Sequence, residues 1–166
     1  MKKISMILVA LVMSLTASAQ FEQGKAYIGA SMTGFDLSYS GNSKLHLGVD
    51  AKAGYFFADD LMAYAQVGYQ HSGHEDARDS FMGGVGARYY IVQNGIYLGV
   101  NGKFVHNSGY NDILPGVEVG YAFFINRTVT IEPAIYYDQS FKKHSDYSTI
   151  GLRVGIGINL FEDSYR

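Results

Sequence analysis

The stretch IGLRVGIGINL, residues 150–160, decides the fold. Its apolar residues stand at every second position from Ile150 to Leu160, and the positions between them hold only glycine, arginine and asparagine. A period of two is the repeat of a β-strand, because successive side chains of a strand point to opposite faces. The stretch therefore predicts a strand with one apolar face and one face of small and polar residues.

The same alternation recurs along most of the 166-residue chain and predicts eight strands. Their expected ranges are 25–38, 44–57, 61–71, 81–91, 96–106, 113–125, 128–139 and 147–161. Short polar turns are expected at 58–60, 92–95 and 126–127, and longer polar links at 39–43, 72–80, 107–112 and 140–146. Short turns that alternate with longer links are typical of an all-β, antiparallel, up-and-down transmembrane barrel, with the short turns in the periplasm.

The residues ahead of the first strand predict a signal peptide. Two lysines supply positive charge, residues 4–15 are mostly apolar, and Ala17-Ser18-Ala19 offers a small-residue cleavage site. The apolar run is too short for a membrane-spanning helix, which needs about 20 residues. We expect residues 1–19 to be removed on export and residues 20–166 to form one barrel domain. The chain has no cysteine, so a core or a bilayer must hold this domain together.

Glycines on the polar face indicate which face looks inward. Alternation alone fits a soluble barrel with an apolar interior as well as a membrane barrel with an apolar exterior. A strand surface in water rarely carries many glycines, whereas a narrow eight-stranded lumen has room for few large side chains. The polar-face glycines are Gly48, Gly54, Gly68, Gly84, Gly86, Gly99, Gly116, Gly120, Gly151, Gly155 and Gly157. They favour a polar lumen and an apolar, lipid-facing exterior.

Aromatic residues on the apolar face concentrate near the strand ends. Those next to short turns are Tyr55, Phe57, Tyr89, Tyr121 and Phe123, and those next to longer links are Tyr69, Phe81, Phe104 and Tyr137. Aliphatic residues fill the middle of the strands. Two aromatic girdles around an apolar band are what the two interfaces of a bilayer favour. A soluble core gives no reason for this sorting by height.

The order of residues 153–161, RVGIGINLF, resembles the C-terminal recognition signal of outer-membrane barrel proteins, although here Glu162 to Arg166 follow the aromatic residue. By pattern and length, residues 20–166 resemble the small eight-stranded outer-membrane barrels, the group of OmpX and the membrane domain of OmpA. The resemblance implies a bacterial outer-membrane location, often with a non-enzymatic role. No residue-specific functional motif carries over from this group.

Charged residues on the polar face predict an ion-pair network inside the barrel. The cations are Lys52, Arg88, Lys103 and Arg153, and the anions are Asp50, Glu118 and Glu132. An eight-stranded lumen is only wide enough for side chains, and unpaired charges there are costly to desolvate. We therefore expect these residues to pair with one another.

Two groups of residues in the sequence have side chains of the types found in metal sites and catalytic sites. His71, His74, Glu75 and Asp76 form a polar cluster without diagnostic ligand spacing, so we interpret it as a solvated loop rather than a metal site.

His106-Asn107-Ser108 resembles the His-x-Ser motif of outer-membrane lipid A deacylases, which add a Glu from a neighbouring strand. Parity turns His106 and Ser108 to the lipid side but Glu118 inward, so this triad is incomplete. No catalytic, metal-binding or cofactor-binding residue is therefore assigned, and no cofactor is expected.

The favoured function is a non-enzymatic barrel with a structural or surface-interaction role through its extracellular loops. A narrow porin-like or transport barrel is the alternative, and a lipid-modifying enzyme is a weaker one. The expected partners are outer-membrane lipids, the barrel-assembly machinery during biogenesis and an extracellular ligand of the loops. The formal net charge of −2 and the lack of a basic patch argue against nucleic acid, and we expect a monomer.

Overall fold

The structure is a computed structural model, and it describes residues 21–33, 47–71, 80–91, 95–107, 110–141 and 148–160. The strands are β1 (Ala26–Thr33), β2 (Leu47–Ala58), β3 (Leu61–His71), β4 (Ser80–Tyr90), β5 (Ile96–Asn107), β6 (Tyr110–Tyr121), β7 (Phe123–Phe124), β8 (Val129–Asp138) and β9 (Thr149–Leu160). Within these ranges, no helix has the length and apolar character needed to cross a membrane.

The strands close into one antiparallel ring. Strands that follow one another in the chain pair from β1 through β6, and β8 pairs with β9. β9 also pairs with β1, from Ala26↔Leu160 to Met32↔Val154, which closes the ring. Only Ala122 separates β6 from β7, and both pair with β8, so together they occupy a single position in the ring. The prediction of an eight-stranded antiparallel up-and-down barrel is confirmed.

The connections at one end of the barrel are short. Residues 59–60 join β2 to β3, with Asp60 at a φ of 60°, and residues 125–128 join β7 to β8. In the second turn the Asn126 Oδ1 accepts hydrogen bonds from the backbone N–H of Thr128 (2.8 Å) and Val129 (2.7 Å). The turns predicted at 58–60 and 126–127 thus lie within one residue of the observed ones, and most of 92–95 lies outside the described residues. This end is called the short-turn end below.

One predicted long link, 107–112, is wrong. The fifth strand runs to Asn107 and the sixth begins at Tyr110, and these two residues pair with each other, which leaves only residues 108–109 between the strands. Polar residues suggested a loop there, but Asp112 is buried in the lumen, where a polar side chain suits a strand. The predicted links 39–43, 72–80 and 140–146 fall wholly or mostly outside the described residues.

The two faces of the strands differ sharply in exposure. Val85 and Val100, on the apolar face, are 67% and 59% exposed, whereas Arg88 and Asn101, on the other face, are 2% and 8% exposed. The polar face therefore lines the lumen and the apolar face covers the outside, as the glycines and the aromatic residues predicted. An exterior of this kind is suited to lipid rather than to water.

Inward glycines make room for the large side chains of neighbouring strands. A Cβ added at Gly99 would lie 2.5 Å from the Glu118 Cγ, and one added at Gly157 would lie 2.5 Å from the Glu132 Oε1. On the outward face, by contrast, a Cβ at Gly102 would meet nothing within 4 Å. Among the glycines of the strands, the crowding is therefore on the inward face, which is the reason the sequence places glycine on the polar face.

Candidate functional site

An ion-pair network crosses the middle of the lumen, and Glu118 of β6 lies at its centre. Its Oε1 accepts a hydrogen bond from the Arg88 Nε at 2.7 Å, and its Oε2 accepts one from the Arg153 Nη1 at 3.2 Å. The Lys52 Nζ lies 3.6 Å from the same Oε2. The Glu118 side chain is fully buried, so three cations from β2, β4 and β9 converge on one carboxylate.

Glu132 of β8 is the second anion of this network. Its Oε2 accepts hydrogen bonds from the Arg88 Nη1 and the Tyr27 hydroxyl, both at 2.8 Å, and its Oε1 accepts one from the Thr130 hydroxyl at 2.8 Å. Arg88 thus bridges two carboxylates, and its guanidinium carbon also lies 4.3 Å from the centre of the Tyr97 ring. Hydrogen bonds to two carboxylates make the buried charge of Arg88 tolerable.

A third carboxylate, Asp50, lies beside the same cations. Its Oδ2 is 3.8 Å from the Arg153 Nε, and the Arg153 guanidinium carbon is 4.6 Å from the centre of the Tyr136 ring. We call the six charged residues of this network the charge layer: Asp50, Lys52, Arg88, Glu118, Glu132 and Arg153. Three cations and three anions balance in it.

A second set of polar contacts lies nearer the end of the barrel opposite the short turns. The Lys103 Nζ is 2.5 Å from the Asp138 Oδ2, and the Ser140 hydroxyl donates to the Asp112 Oδ2 at 2.6 Å. Lys103 therefore pairs apart from the charge layer. Neither Asp112 nor Asp138 was among the residues predicted to line the lumen, although Asp138 shares the parity of Glu132 and that signal could have found it.

All seven charged residues that the sequence assigned to the lumen are buried there, between 2% and 4% exposed. Little space remains among them. A cavity of about 10 Å³, lined among others by Ser31, Lys52, Arg88 and Arg153, has room for roughly one water molecule.

An aromatic cluster fills the lumen at the short-turn end. It is defined as Phe21, Phe56, Met62, Tyr90, Tyr97, Ala122 and Phe124, with Tyr27, Tyr64 and other buried residues extending the same core. Phe56, Met62, Tyr90 and Tyr97 have no exposed surface. The lumen thus has an apolar section and a charged section stacked along its axis.

The other residues singled out by the sequence are not brought together. His106 is exposed on the outside of the barrel, with its Nδ1 2.6 Å from the Asn111 Oδ1, whereas Glu118 is inside and occupied by cations. Ser108 lies outside the described residues. A barrel wall therefore separates the two members of the suggested triad that the structure describes.

The possible metal cluster gains no support from the geometry. His71 ends β3, while His74, Glu75 and Asp76 lie outside the described residues. In the part of the chain that is described, no group of three or more His, Asp or Glu side chains could hold a metal ion.

Comparisons with solved structures find the same architecture. The N-terminal β-barrel domain of Pseudomonas aeruginosa OprF is 12% identical, with a TM-score of 0.60, and the match covers 83% of this chain and 98% of that one. Neisserial surface protein A is 16% identical, with a TM-score of 0.55 and coverage of 82% and 95%. OprG of Pseudomonas aeruginosa is 12% identical, with a TM-score of 0.54 and coverage of 85% and 98%. At such identities the likeness is one of fold.

Sequence comparison is more specific. A search of curated proteins found no match. Residues 5–163 match a family model described as "Outer membrane protein beta-barrel domain", which leaves only a few residues at each end of the chain unmatched. The chain therefore belongs to the outer membrane protein beta-barrel domain family, and its place is the bacterial outer membrane.

Proposed function

We propose that this protein is a non-enzymatic barrel that does not conduct ions, and that its role is structural or lies in surface contacts made by its extracellular loops. The observation that carries the proposal is the convergence of three cations on Glu118 in the middle of the lumen. We infer that a lumen occupied in this way offers no open path, and we therefore assign recognition to the links between the strands.

The charge layer is well suited to block ions. Its members come from β2, β4, β6, β8 and β9, so their contacts run across the lumen rather than along its wall. A passing ion would have to displace contacts such as Arg88–Glu118 at 2.7 Å and Arg88–Glu132 at 2.8 Å. Breaking a buried pair without replacing it costs several kcal/mol, about 3–5 by measurement in other proteins.

A narrow transport barrel is the second candidate, and one observation favours it. The Ser31 hydroxyl, the Lys52 ammonium and the Asn101 Oδ1 are buried without a hydrogen-bond partner. Buried polar groups of this kind usually bind water. A file of water molecules past the charge layer would make a narrow pathway.

The orientation and partners belong to the same proposal. We place the short-turn end in the periplasm and the opposite end outside the cell, as is typical of outer-membrane barrels. We expect residues 1–19 to be removed on export. We propose a monomer that contacts outer-membrane lipids, is inserted by the barrel-assembly machinery and meets an extracellular ligand through its loops.

Single-channel recording in planar bilayers tests the closed lumen. Refolded wild-type protein should insert and remain silent. Steady, large conductance from the wild type would overturn the proposal and support the transport barrel.

A loop replacement tests the surface role. In a deletion strain, one complementing variant carries short Gly-Asn turns in place of residues 34–46 and 142–147. A matched variant keeps these loops and carries Lys52→Met with Glu118→Gln inside the lumen. We expect the loop variant to lose the rescue of the deletion phenotype and the lumen variant to keep it, whereas the reverse pattern would place the function in the lumen.

A further inference from the structure

Residues 21–25 run across the short-turn end of the barrel before β1 begins. They are called the strap below. Phe21, its first residue, is 6% exposed and inserts into the lumen mouth, where its ring stacks on Tyr90 with 3.9 Å between ring centres and 19° between planes. A segment outside the strands therefore supplies a ring to the interior.

The Phe21 ring packs against residues of the aromatic cluster that come from several strands. The Phe21 ring centre lies 5.9 Å from that of Phe56 on β2 and 5.4 Å from that of Phe124 on β7. Tyr90 on β4 continues the cluster to Tyr97 on β5, with 5.5 Å between ring centres. Phe21 thus contacts side chains from strands on different sides of the lumen and covers the opening between them.

Backbone hydrogen bonds fix the path of the strap. The Gly24 N–H donates to the Phe56 carbonyl at 2.8 Å, and the Phe21 carbonyl accepts from the Asp60 N–H at 2.8 Å. Gly24 has a φ of +91°, a conformation that side chains other than hydrogen strain. The ring is therefore held in position by main-chain contacts to β2 and its turn.

The outer side of the strap is polar. Gln23 is exposed, and its N–H donates to the Asp59 Oδ1 at 2.9 Å. Glu22, also exposed, pairs with Lys25 at 3.2 Å. One apolar residue pointing inward beneath a polar outer surface is the arrangement of a lid facing water.

We propose that the strap is a built-in lid that closes the periplasmic mouth independently of the charge layer, so that two barriers stand in series. The inference rests on the proposed closed lumen. It rests also on the separation of the two sets of contacts, since the strap is bonded to β2 and residues 59–60 while the charge layer is bonded across the lumen. Opening either barrier alone should leave the barrel silent.

Conductance of four proteins tests the series arrangement. They are the wild type, Phe21→Ala, the charge-balanced variant Lys52→Ala with Glu118→Ala, and the combination of all three substitutions. Cold-gel mobility confirms that each has folded. We expect conductance only from the triple variant.

The outcomes separate the lid from the closed lumen. A conducting wild type overturns the proposed function itself. A Lys52→Ala, Glu118→Ala variant that conducts as well with Phe21 as without it overturns the lid and leaves the closed lumen standing. A silent triple variant also overturns the lid, because the two named barriers would then not be what closes the barrel.

A thiol reporter tests the lid without altering the charge layer. Met62 is fully buried and the chain has no cysteine, so Met62→Cys is a clean probe of access to the aromatic cluster. Phe21→Ala should raise the labelling rate of this cysteine by up to about 100-fold, the equivalent of about 3 kcal/mol lost from the closed state.

The matched control for the reporter is Phe123→Ala, which removes an exposed ring from the outside of the barrel near the same end. It should leave the labelling unchanged. Equal labelling of the Phe21→Ala and Phe123→Ala proteins would overturn the lid.

Discussion

Glu118→Gln is the most direct perturbation of the lumen, because it removes one charge while almost preserving shape. In the wild type the Glu118 carboxylate contacts Arg88 at 2.7 Å, Arg153 at 3.2 Å and Lys52 at 3.6 Å. The substitution leaves three cations of the charge layer opposite two anions. An excess positive charge then remains in a space that water scarcely enters.

The loss in free energy of unfolding caused by Glu118→Gln depends on which ion-pair partners each cation retains. Arg88 retains Glu132 at 2.8 Å, and Arg153 retains Asp50 at 3.8 Å, whereas Lys52 loses the contact at 3.6 Å. Removal of one partner from a buried pair lowers the free energy of unfolding by about 3–5 kcal/mol. Because Arg88 and Arg153 keep other partners, we expect Glu118→Gln to lower it by about 3 kcal/mol.

The assay is a urea titration of the refolded barrel in lipid vesicles. The folded fraction is measured from the electrophoretic mobility of unheated samples. The control is Lys52→Met with Glu118→Gln, which restores the balance of charge. The double variant should be destabilised by less than the sum of the two single variants, because each single variant unbalances the charges of the charge layer and the double variant does not. Additive costs would refute the reasoning, since independent sites add.

Three further outcomes follow from the two faces and the two ends of the barrel. Val100→Arg, which puts a charge on the outward face near mid-strand, should cost about 2–4 kcal/mol in the same titration, while Val100→Ala should cost far less. Gly99→Ala crowds Glu118 and should cost about 1–3 kcal/mol, whereas Gly102→Ala meets open space and should be neutral or stabilising; equal effects would contradict the assigned faces. An impermeant thiol reagent on intact cells should label Ser145→Cys but not Asp59→Cys, and the opposite pattern would mean an inverted topology.

The sequence predicted the architecture and the contents of the lumen well because both faces of each strand are constrained. Lipid on one side and a narrow lumen on the other enforce a strict period of two, so parity alone assigns Arg88 inward and Val100 outward. The third strand, predicted at 61–71, has those bounds in the structure. The glycines on the polar face then predicted that this face lines the lumen.

Height along the barrel axis could not be predicted in the same way. Parity states that Lys103 and Glu118 both point inward, but not that Lys103 pairs with Asp138 while Glu118 takes three other cations. That choice depends on the register between strands. The strap escaped prediction for a related reason, because residues 21–25 show no alternation and Phe21 acts through a contact with Tyr90 far along the chain.

Register also connects the glycines with the ion pairs. Gly99 lies directly opposite Glu118 on the neighbouring strand, and Arg88 lies opposite Gly99 on its other side. With no side chain on the intervening strand, the Arg88 guanidinium reaches across β5 to the carboxylate at 2.7 Å. Gly157, opposite Thr130, likewise leaves room for the Glu132 carboxylate. An inward glycine on one strand therefore does more than relieve crowding. It allows charged side chains on the two strands that flank it to contact each other.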